Sequence, residues 1–337
     1  MYRKIIVHEN DRDCQRILWR FSTSEPIQEF RLNTVTYGET SSAYLALRCI
    51  RVLAKESEHE FPLVSRMLSE QTYVDDILAG ADSPDEAALL QEQITTTLKT
   101  GGFETHKWCS NNKEVLAKIP HKSREEKHRH MDTSETIKTL GLIWNPDNDQ
   151  FQFHVHGHEE VATKREILSA ISKIFDPIGL IGPVLTAAKI IMQETWRTGC
   201  QWDESLPEAL EKKWKQFRQD LAAAKTLYIP RRAIAFEHIR RIGLQGFCDA
   251  SEHAYGACLY LQVEDRDGVH AARLLCSKSR IAPLRRISIP RLELCGAVLL
   301  ARLMFNVQRA LQIQFDDVQA WSDSQVALCW IRGDPSR

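Results

Sequence analysis

Apolar and polar positions alternate on two length scales, and the change between them marks out the elements. Short apolar runs of strand length, "RKIIV" and "QRILWRF", open the chain and are followed by "SSAYLALRCIRVLA", which has the spacing of a helix. A second helix is predicted over "SPDEAALLQEQITTTLKTGGF", with Ser83 as N-cap, Pro84 at the first helical position and Gly101-Gly102 as the stop. His121 to Glu135 is polar and reads as an exposed loop, after which "IKTLGLIWNPDNDQFQFHVH" has strand composition on both sides of the turn-former "NPDND". Residues 161–225 read as mainly helical, ending in the amphipathic "LPEALEKKWKQFRQDLAAA", and "YIPRR" marks a boundary. Beyond it come three strands with a turn at "DRDG", a helix from Pro290 to about Leu311, the strand "VQAWSD" and the start of another helix. Such mixing of strands and helices predicts an α+β chain.

Between the first two helical stretches lies "QTYVDDILAG", Gln71 to Gly80, which reads as a tight hairpin with Asp75-Asp76 at its tip. Asn-Gly or Asp-Gly suits such a tip better, because those residues accept positive φ at little cost. Two carboxylates about 4 Å apart repel by roughly 1 kcal/mol in water and about 4 kcal/mol near a protein surface. A divalent cation reverses the sign, whereas an isolated Asp-Asp is more often a solvated acidic turn.

The chain has 337 residues, 43% of them hydrophobic, enough for two or three domains with real cores. A net charge of −1 excludes a global basic field, so any nucleic-acid surface is local. One such run exists: no acid occurs between Asp267 and Glu293, while Arg273, Lys278, Arg280, Arg285, Arg286 and Arg291 all fall there. Nine scattered cysteines without a C-x-x-C pair, and an N-terminus without a signal peptide, predict a cytoplasmic or nuclear protein that is not secreted. The greasiest stretch, Ile167 to Met192, is interrupted by Lys173, Asp176, Pro177, Pro183 and Lys189, so no membrane partner is expected.

In the last third, three acids end elements whose apolar residues anchor them: Asp249 after "GFC", Glu293 in the first turn of the helix begun by Pro290, and Asp323 after "AWS". If the strands of Asp249 and Asp323 are neighbours and the helix crosses them, the carboxylates converge. Convergent carboxylates suit a hard oxygen-seeking cation such as Mg²⁺ or Mn²⁺, and two-metal phosphodiester chemistry fits them.

The motifs "TYGETSSAYLA", "YVDD", "GGFETHKWCSN", "TLGLIWNP", "TKREILSAISKIFDPIGLIGPV", "FCDASEHAYGACLY", "SKSRIAPLRRISIPRLEL" and "WSDSQVALCWI", in this order, resemble the reverse transcriptase and RNase H portion of the Pao/BEL retrotransposon Pol polyprotein. The resemblance implies a reverse-transcriptase fingers and palm fragment over 1–160, a helical thumb and connection over 161–235, and an RNase H-like domain, C-terminally incomplete, over 236–337. It makes Asp75 and Asp76 palm carboxylates holding Mg²⁺, and Asp249, Glu293 and Asp323 the RNase H acids. Tyr2 becomes the sugar gate, Gly38, Ser41 and Ser42 neighbours of the incoming nucleotide and template, and Lys107 a proton donor to pyrophosphate. Trp144 belongs to the primer-gripping hairpin, Lys164 and Arg165 to the phosphate backbone, and Arg285 and Arg286 to a basic nucleic-acid face. The implied partners are an RNA/DNA template-primer or hybrid, deoxynucleoside triphosphates in the intact parent, and the remainder of the polyprotein.

Departures from the family pattern temper the expected activity. Ala43 stands where the family has proline. The third palm carboxylate of the family precedes the segment matching "MYRKI", and the fourth RNase H acid belongs to a helix beyond Arg337. This chain is therefore expected to be feeble or inactive in both reactions, its intact parent active. The alternative is a non-catalytic, host-retained remnant of a transposable element that binds nucleic acid or protein through the 268–292 basic face and the thumb. Two further signals weigh less. Asp132-Thr133-Ser134 only loosely resembles an aspartic peptidase turn, and His154, His156 and His158, on one strand face with His128 and His130 loosely placed, lack a cysteine for a zinc site.

Overall fold

The computed structural model describes residues 1–125, 128–129, 135–139, 142–153, 163–222, 226–234 and 236–334. Asp132, Thr133 and Ser134, together with His130, His154, His156 and His158, lie outside them. Contacts divide the chain into one unit of Met1–Leu140 with Pro146–Asn148 and a second of Gly141–Asn145 with Asp149–Arg337.

In the first unit a two-stranded ribbon, β1 (Arg16–Trp19) and β2 (Gln28–Arg31), precedes α1 (Ser42–Glu56), α2 (Pro62–Glu70), the hairpin β3 (Thr72–Tyr73) and β4 (Asp76–Ile77), α3 (Pro84–Thr100), α4 (Lys113–Lys118), β5 (His128–Arg129) and β6 (Glu135–Thr139). The three longer helices form because each has one apolar stripe. Ala46, Ile50 and Ala54 of α1, Val64, Met67 and Leu68 of α2, and Leu90, Ile94 and Leu98 of α3 are buried, and most of them meet in one cluster closed by Phe103. The Ser83 hydroxyl accepts from the Glu86 N–H, and Gly101 and Gly102 end α3, as the sequence predicts.

The second unit continues with β7 (Leu142–Asn145), β8 (Gln150–Gln152), α5 (Lys164–Ser172), α6 (Gly182–Arg197), α7 (Glu208–Ala222), β9 (Ile229–Pro230), β10 (Ile239–Ala250), β11 (Ala254–Asp265), β12 (His270–Ile281), α8 (Ile289–Leu311), β13 (Asp317–Trp321) and α9 (Gln325–Arg332). Helices α5 to α7 enclose Ile167, Ile171, Met192, Leu210 and Trp214. The main sheet runs β12-β11-β10-β13. Its first two pairings are antiparallel, and β10 lies parallel to β13, so that the crossover between them is α8.

Helix α8 packs on the sheet through Leu299, Leu300 and Met304, against Leu244, Cys248 and Leu259. It is long and apolar enough to cross a bilayer, yet one face of it is committed to this core. A side chain at Gly246 would put its Cβ 2.7 Å from Leu300 Cδ1, so glycine sets the close approach of helix to sheet. The helical segment docks on the outer strand β12. Gly179, at φ +77°, lies where a Cβ would fall 2.0 Å from the Ser277 carbonyl oxygen. The Ser277 N–H donates to Ile178 O at 2.9 Å, and Gln193 Nε2 donates to Ala282 O at 2.6 Å. These bonds cover part of an otherwise open sheet edge.

Candidate metal centre and its surroundings

Parallel pairing of β10 with β13 sets Phe247 beside Trp321. Two residues further along the chain are Asp249, still on β10, and Asp323, just past the end of β13, so equal offsets from one register pair bring both acids to the same end of the sheet. Glu293 approaches from α8. It is the fifth residue of that helix, one beyond the first turn where the sequence had placed it, because the helix begins at Ile289. Ligand atoms of the three carboxylates all lie within 4.8 Å of one another.

Asp249 and Asp323 are exposed, whereas Glu293 is only 7% exposed and its Oε2 is buried without a hydrogen-bond partner. Burial pushes the Glu293 carboxyl above the usual range, the charges of Asp249 and Asp323 push it further, and the Ala250 N–H offsets part of the rise. The same N–H donates to Asp249 Oδ1 at 2.7 Å. Beside them the Cys248 thiol is also raised, first by burial and then by these carboxylates, with the Ser322 hydrogen bond opposing. Three convergent oxygen donors, one of them buried and unsatisfied, fit a divalent oxygen-seeking cation.

The other acidic pair is arranged differently. Tyr73 pairs with Asp76, so the hairpin turns at Val74-Asp75 and not at Asp75-Asp76, and Asp76 is the first residue of β4. Val74 takes φ 54°, a conformation that a β-branched side chain adopts only under strain. Burial raises the Asp76 carboxyl, the neighbouring Asp75 and Glu125 raise it further, and Lys107 pulls it back. Lys107 therefore stands in the field of the pair, itself at φ 61°. Among the described residues no third acid joins Asp75 and Asp76 within ligand distance. Tyr2 meets Tyr37 edge to face at 5.1 Å, next to Gly38 at φ 89°. Ser41 is the N-cap of α1 without a side-chain cap bond, and Ser42 is buried with its hydroxyl donated to Thr36 O.

Lys164 corrects the sequence reading most clearly. Expected on a phosphate backbone, it is 6% exposed, with Nζ 3.9 Å from the Trp196 ring centroid, 5.4 Å from that of Trp202, and donating to Cys200 O at 3.3 Å. An ammonium held between two indoles is a packing element here. Its neighbour Arg165 is exposed and forks onto Asp203 at 2.6 and 2.9 Å. Trp144 is tied into its own hairpin, Nε1 donating to Asp149 Oδ1 at 2.9 Å, with Arg231 over the ring at 5.4 Å and forked onto the same Asp149. Arg285 and Arg286 are exposed before α8, and Arg286 reaches Glu252 at 3.5 Å. Sequence reasoning did not foresee the Trp196 and Trp202 cage. The lysine opening a helix capped by Thr163 and the two later tryptophans are visible in the sequence, but their meeting is set by the folding-back of α6.

The profile of the Pao retrotransposon-like RNaseH-like domain matches residues 163–324. No curated protein matches the chain. Among solved structures, the foamy viral protease-reverse transcriptase dRH in complex with ds DNA matches with a TM-score of 0.48 and 12% identity, over 96% of this chain and 48% of that one. The foamy viral protease-reverse transcriptase in complex with dsDNA matches with the same score and identity, over 98% of this chain and 59% of that one. The chain thus spans about half the length of the structures it matches. The stretch matched by the Pao profile, residues 163–324, holds all three convergent carboxylates and the helices docked on their sheet.

Proposed function

We propose that the second unit carries a divalent-metal-dependent nuclease site of a retroelement Pol protein, acting on the RNA strand of an RNA–DNA hybrid. The observation that carries this reading is the convergence of Asp249, Glu293 and Asp323 around a buried, unsatisfied Glu293 oxygen inside a retrotransposon RNaseH-like domain. Mg²⁺ or Mn²⁺ bound there supplies a Lewis acid and lowers the pKa of a bound water. Exposed Asp249 and Asp323 present oxygens on the side open to solvent, and Glu293 closes the inner side from α8. Before a cation arrives, Glu293 holds a proton more readily than an ordinary glutamate, which reduces repulsion within the trio.

The first unit is read as the palm and fingers part of a polymerase, with Asp75, Asp76 and Lys107 near a template-primer and a deoxynucleoside triphosphate in the intact parent. Among the described residues no third acid joins Asp75 and Asp76, and a metal held by two carboxylates is poorly retained, so polymerase activity is expected to be feeble. Mg²⁺-dependent primer extension by this chain, abolished by Asp76→Asn, would refute that expectation. We read the compartment as reducing, cytoplasmic or nuclear, from nine scattered cysteines without paired spacing.

The test of the nuclease reading uses excess protein and a hybrid labelled on its RNA strand. Expected is slow cleavage that requires Mg²⁺ or Mn²⁺ and disappears in Asp249→Asn. Salt-sensitive hybrid binding with no metal-dependent cleavage and no metal binding would overturn it in favour of the non-catalytic remnant.

A further inference from the structure

We infer that the open face of the main sheet beside the carboxylates is a stacking platform for one unpaired nucleobase of the substrate strand, with Trp321 and Phe247 as its rings, so that the site favours the junction between a hybrid and single-stranded RNA. This rests on the nuclease reading for the phosphate held at the trio. Strand alternation separates the two faces of the sheet. Leu244 and Cys248 of β10 pack under α8, so Phe247 and Asp249, which alternate with them, belong to the other face. Trp321 lies beside Phe247 in the parallel pair, and each ring stands two residues before one of the exposed acids, or about 7 Å along the strand. The segment leading into α6, and α6 itself, cover this face over β12 through Ser277 and Ser279. Over β10 and β13 it is open: Phe247 is 43% and Trp321 50% exposed.

The exposed indole is held in place. Trp321 Nε1 donates to Gln245 Oε1 at 2.8 Å, Gln245 Nε2 donates to Asp317 Oδ2 at 3.0 Å, and Gln319 Nε2 donates to Asp317 Oδ1 at 3.2 Å. Phe247 is met edge to face by Tyr260 at 6.0 Å. Gly243, in the row of Asp317, carries no side chain and helps to open a cavity of about 630 Å³ that both rings and Gln245 line. A ring immobilised in this way meets a flat partner without losing freedom of its own. The lining selects that partner. A helix docked here would bury the exposed amides of Gln262 and Gln319 against apolar side chains, at a desolvation cost. A nucleobase offers a π-face to the rings and donors and acceptors at its edge to the amides. The base must be unpaired, because one inside a duplex is stacked on both sides and costs free energy to extrude, whereas one at the end of the hybrid loses little. Its phosphate then falls at the cation held by Asp249, Glu293 and Asp323.

The test compares dissociation constants of the full chain for two RNA–DNA hybrids that carry a short single-stranded RNA extension, in Ca²⁺, which carboxylates can hold, with strand integrity checked on a gel. One hybrid is intact, and the other has an abasic residue at the first unpaired position. The parent chain should bind the intact junction about 10-fold more tightly than the abasic one, within the range for one base stacked on an aromatic ring. Trp321→Ala should bind both alike, at the parent's abasic value. Trp321→Phe keeps a ring and should retain most of the preference, and Phe305→Ala on the exposed side of α8 should leave it unchanged. Equal affinity of the parent for both junctions, a result that needs no variant to fold, overturns the inference, as does a preference that survives in Trp321→Ala or a parent that binds neither hybrid. Equal affinity together with self-association of the parent that Trp321→Ala abolishes gives the face to a second copy of this chain instead. If the preference depends on Trp321 while the parent never cleaves in Mg²⁺ or Mn²⁺, the platform stands and only the nuclease reading fails. If the parent cleaves a hybrid but treats both junctions alike, the platform fails and the nuclease reading stands.

Discussion

Glu293→Gln removes one negative charge from a site where, among the described residues, Asp249 and Asp323 add repulsion and only the Ala250 N–H opposes it, and keeps the shape. At the 4.8 Å limit separating the three carboxylates, each pair repels by about 3.5 kcal/mol at an effective dielectric of 20. Solvent around the exposed Asp249 and Asp323 cuts this severely, leaving a net effect of about 1–2 kcal/mol. The metal-free variant should therefore be more stable than the parent by that amount at neutral pH, a rise of roughly 3–6 °C in Tm for a unit of this size. The pH dependence has a definite sign. With a folded-state pKa raised above its unfolded value of about 4.3, Glu293 binds more protons folded than unfolded in that window. Its contribution is fully present below the unfolded pKa and is lost as pH rises through the raised one, and the parent-minus-variant difference should show this loss. Urea denaturation of both proteins in EDTA across pH 4 to 8, repeated with Mn²⁺, reads all of it. Mn²⁺ should stabilise the parent and have little effect on the variant. A metal-free variant less stable than the parent by more than 1 kcal/mol, or an undiminished Mn²⁺ response, would show that the trio is not a frustrated cation site.

Three other outcomes are expected. Gly246→Val forces atoms against Leu300, Leu259 and Met304 at 2.7 to 3.0 Å and should cost about 1–3 kcal/mol, read as a lower urea midpoint at unchanged m-value. Lys164→Met retains bulk between Trp196 and Trp202 but loses the cation. It should shift tryptophan emission while leaving the salt slope of hybrid binding unchanged, and a slope lowered by about 1 would return Lys164 to the phosphate contacts. Val74→Gly relieves the positive φ at the hairpin turn and should be neutral or stabilising by up to about 1 kcal/mol, so a loss above 2 kcal/mol in denaturation would contradict the strain.

Local chemistry alone determined much of this protein. The start and stop of α3 follow from Ser83, Pro84 and Gly101-Gly102, because a cap is satisfied within four residues of itself. The order of strands and helices after residue 236 and the three acids at their ends were legible for the same reason: alternation and turn residues act over short distances. What the sequence left open are quantities of long range. The meeting of Asp249, Glu293 and Asp323 depends on the parallel pairing of β10 with β13 and on how closely Gly246 lets α8 approach. The hairpin turn falls at Val74-Asp75 because Tyr73 pairs with Asp76, against the local turn preference. Lys164 reads as a surface cation from its neighbours in sequence and is a buried one in space, since α6 brings Trp196 to it and the following segment brings Trp202. Residue identity determined which groups can do chemistry; pairing register and helix packing, which join residues far apart in the chain, decided which of them meet.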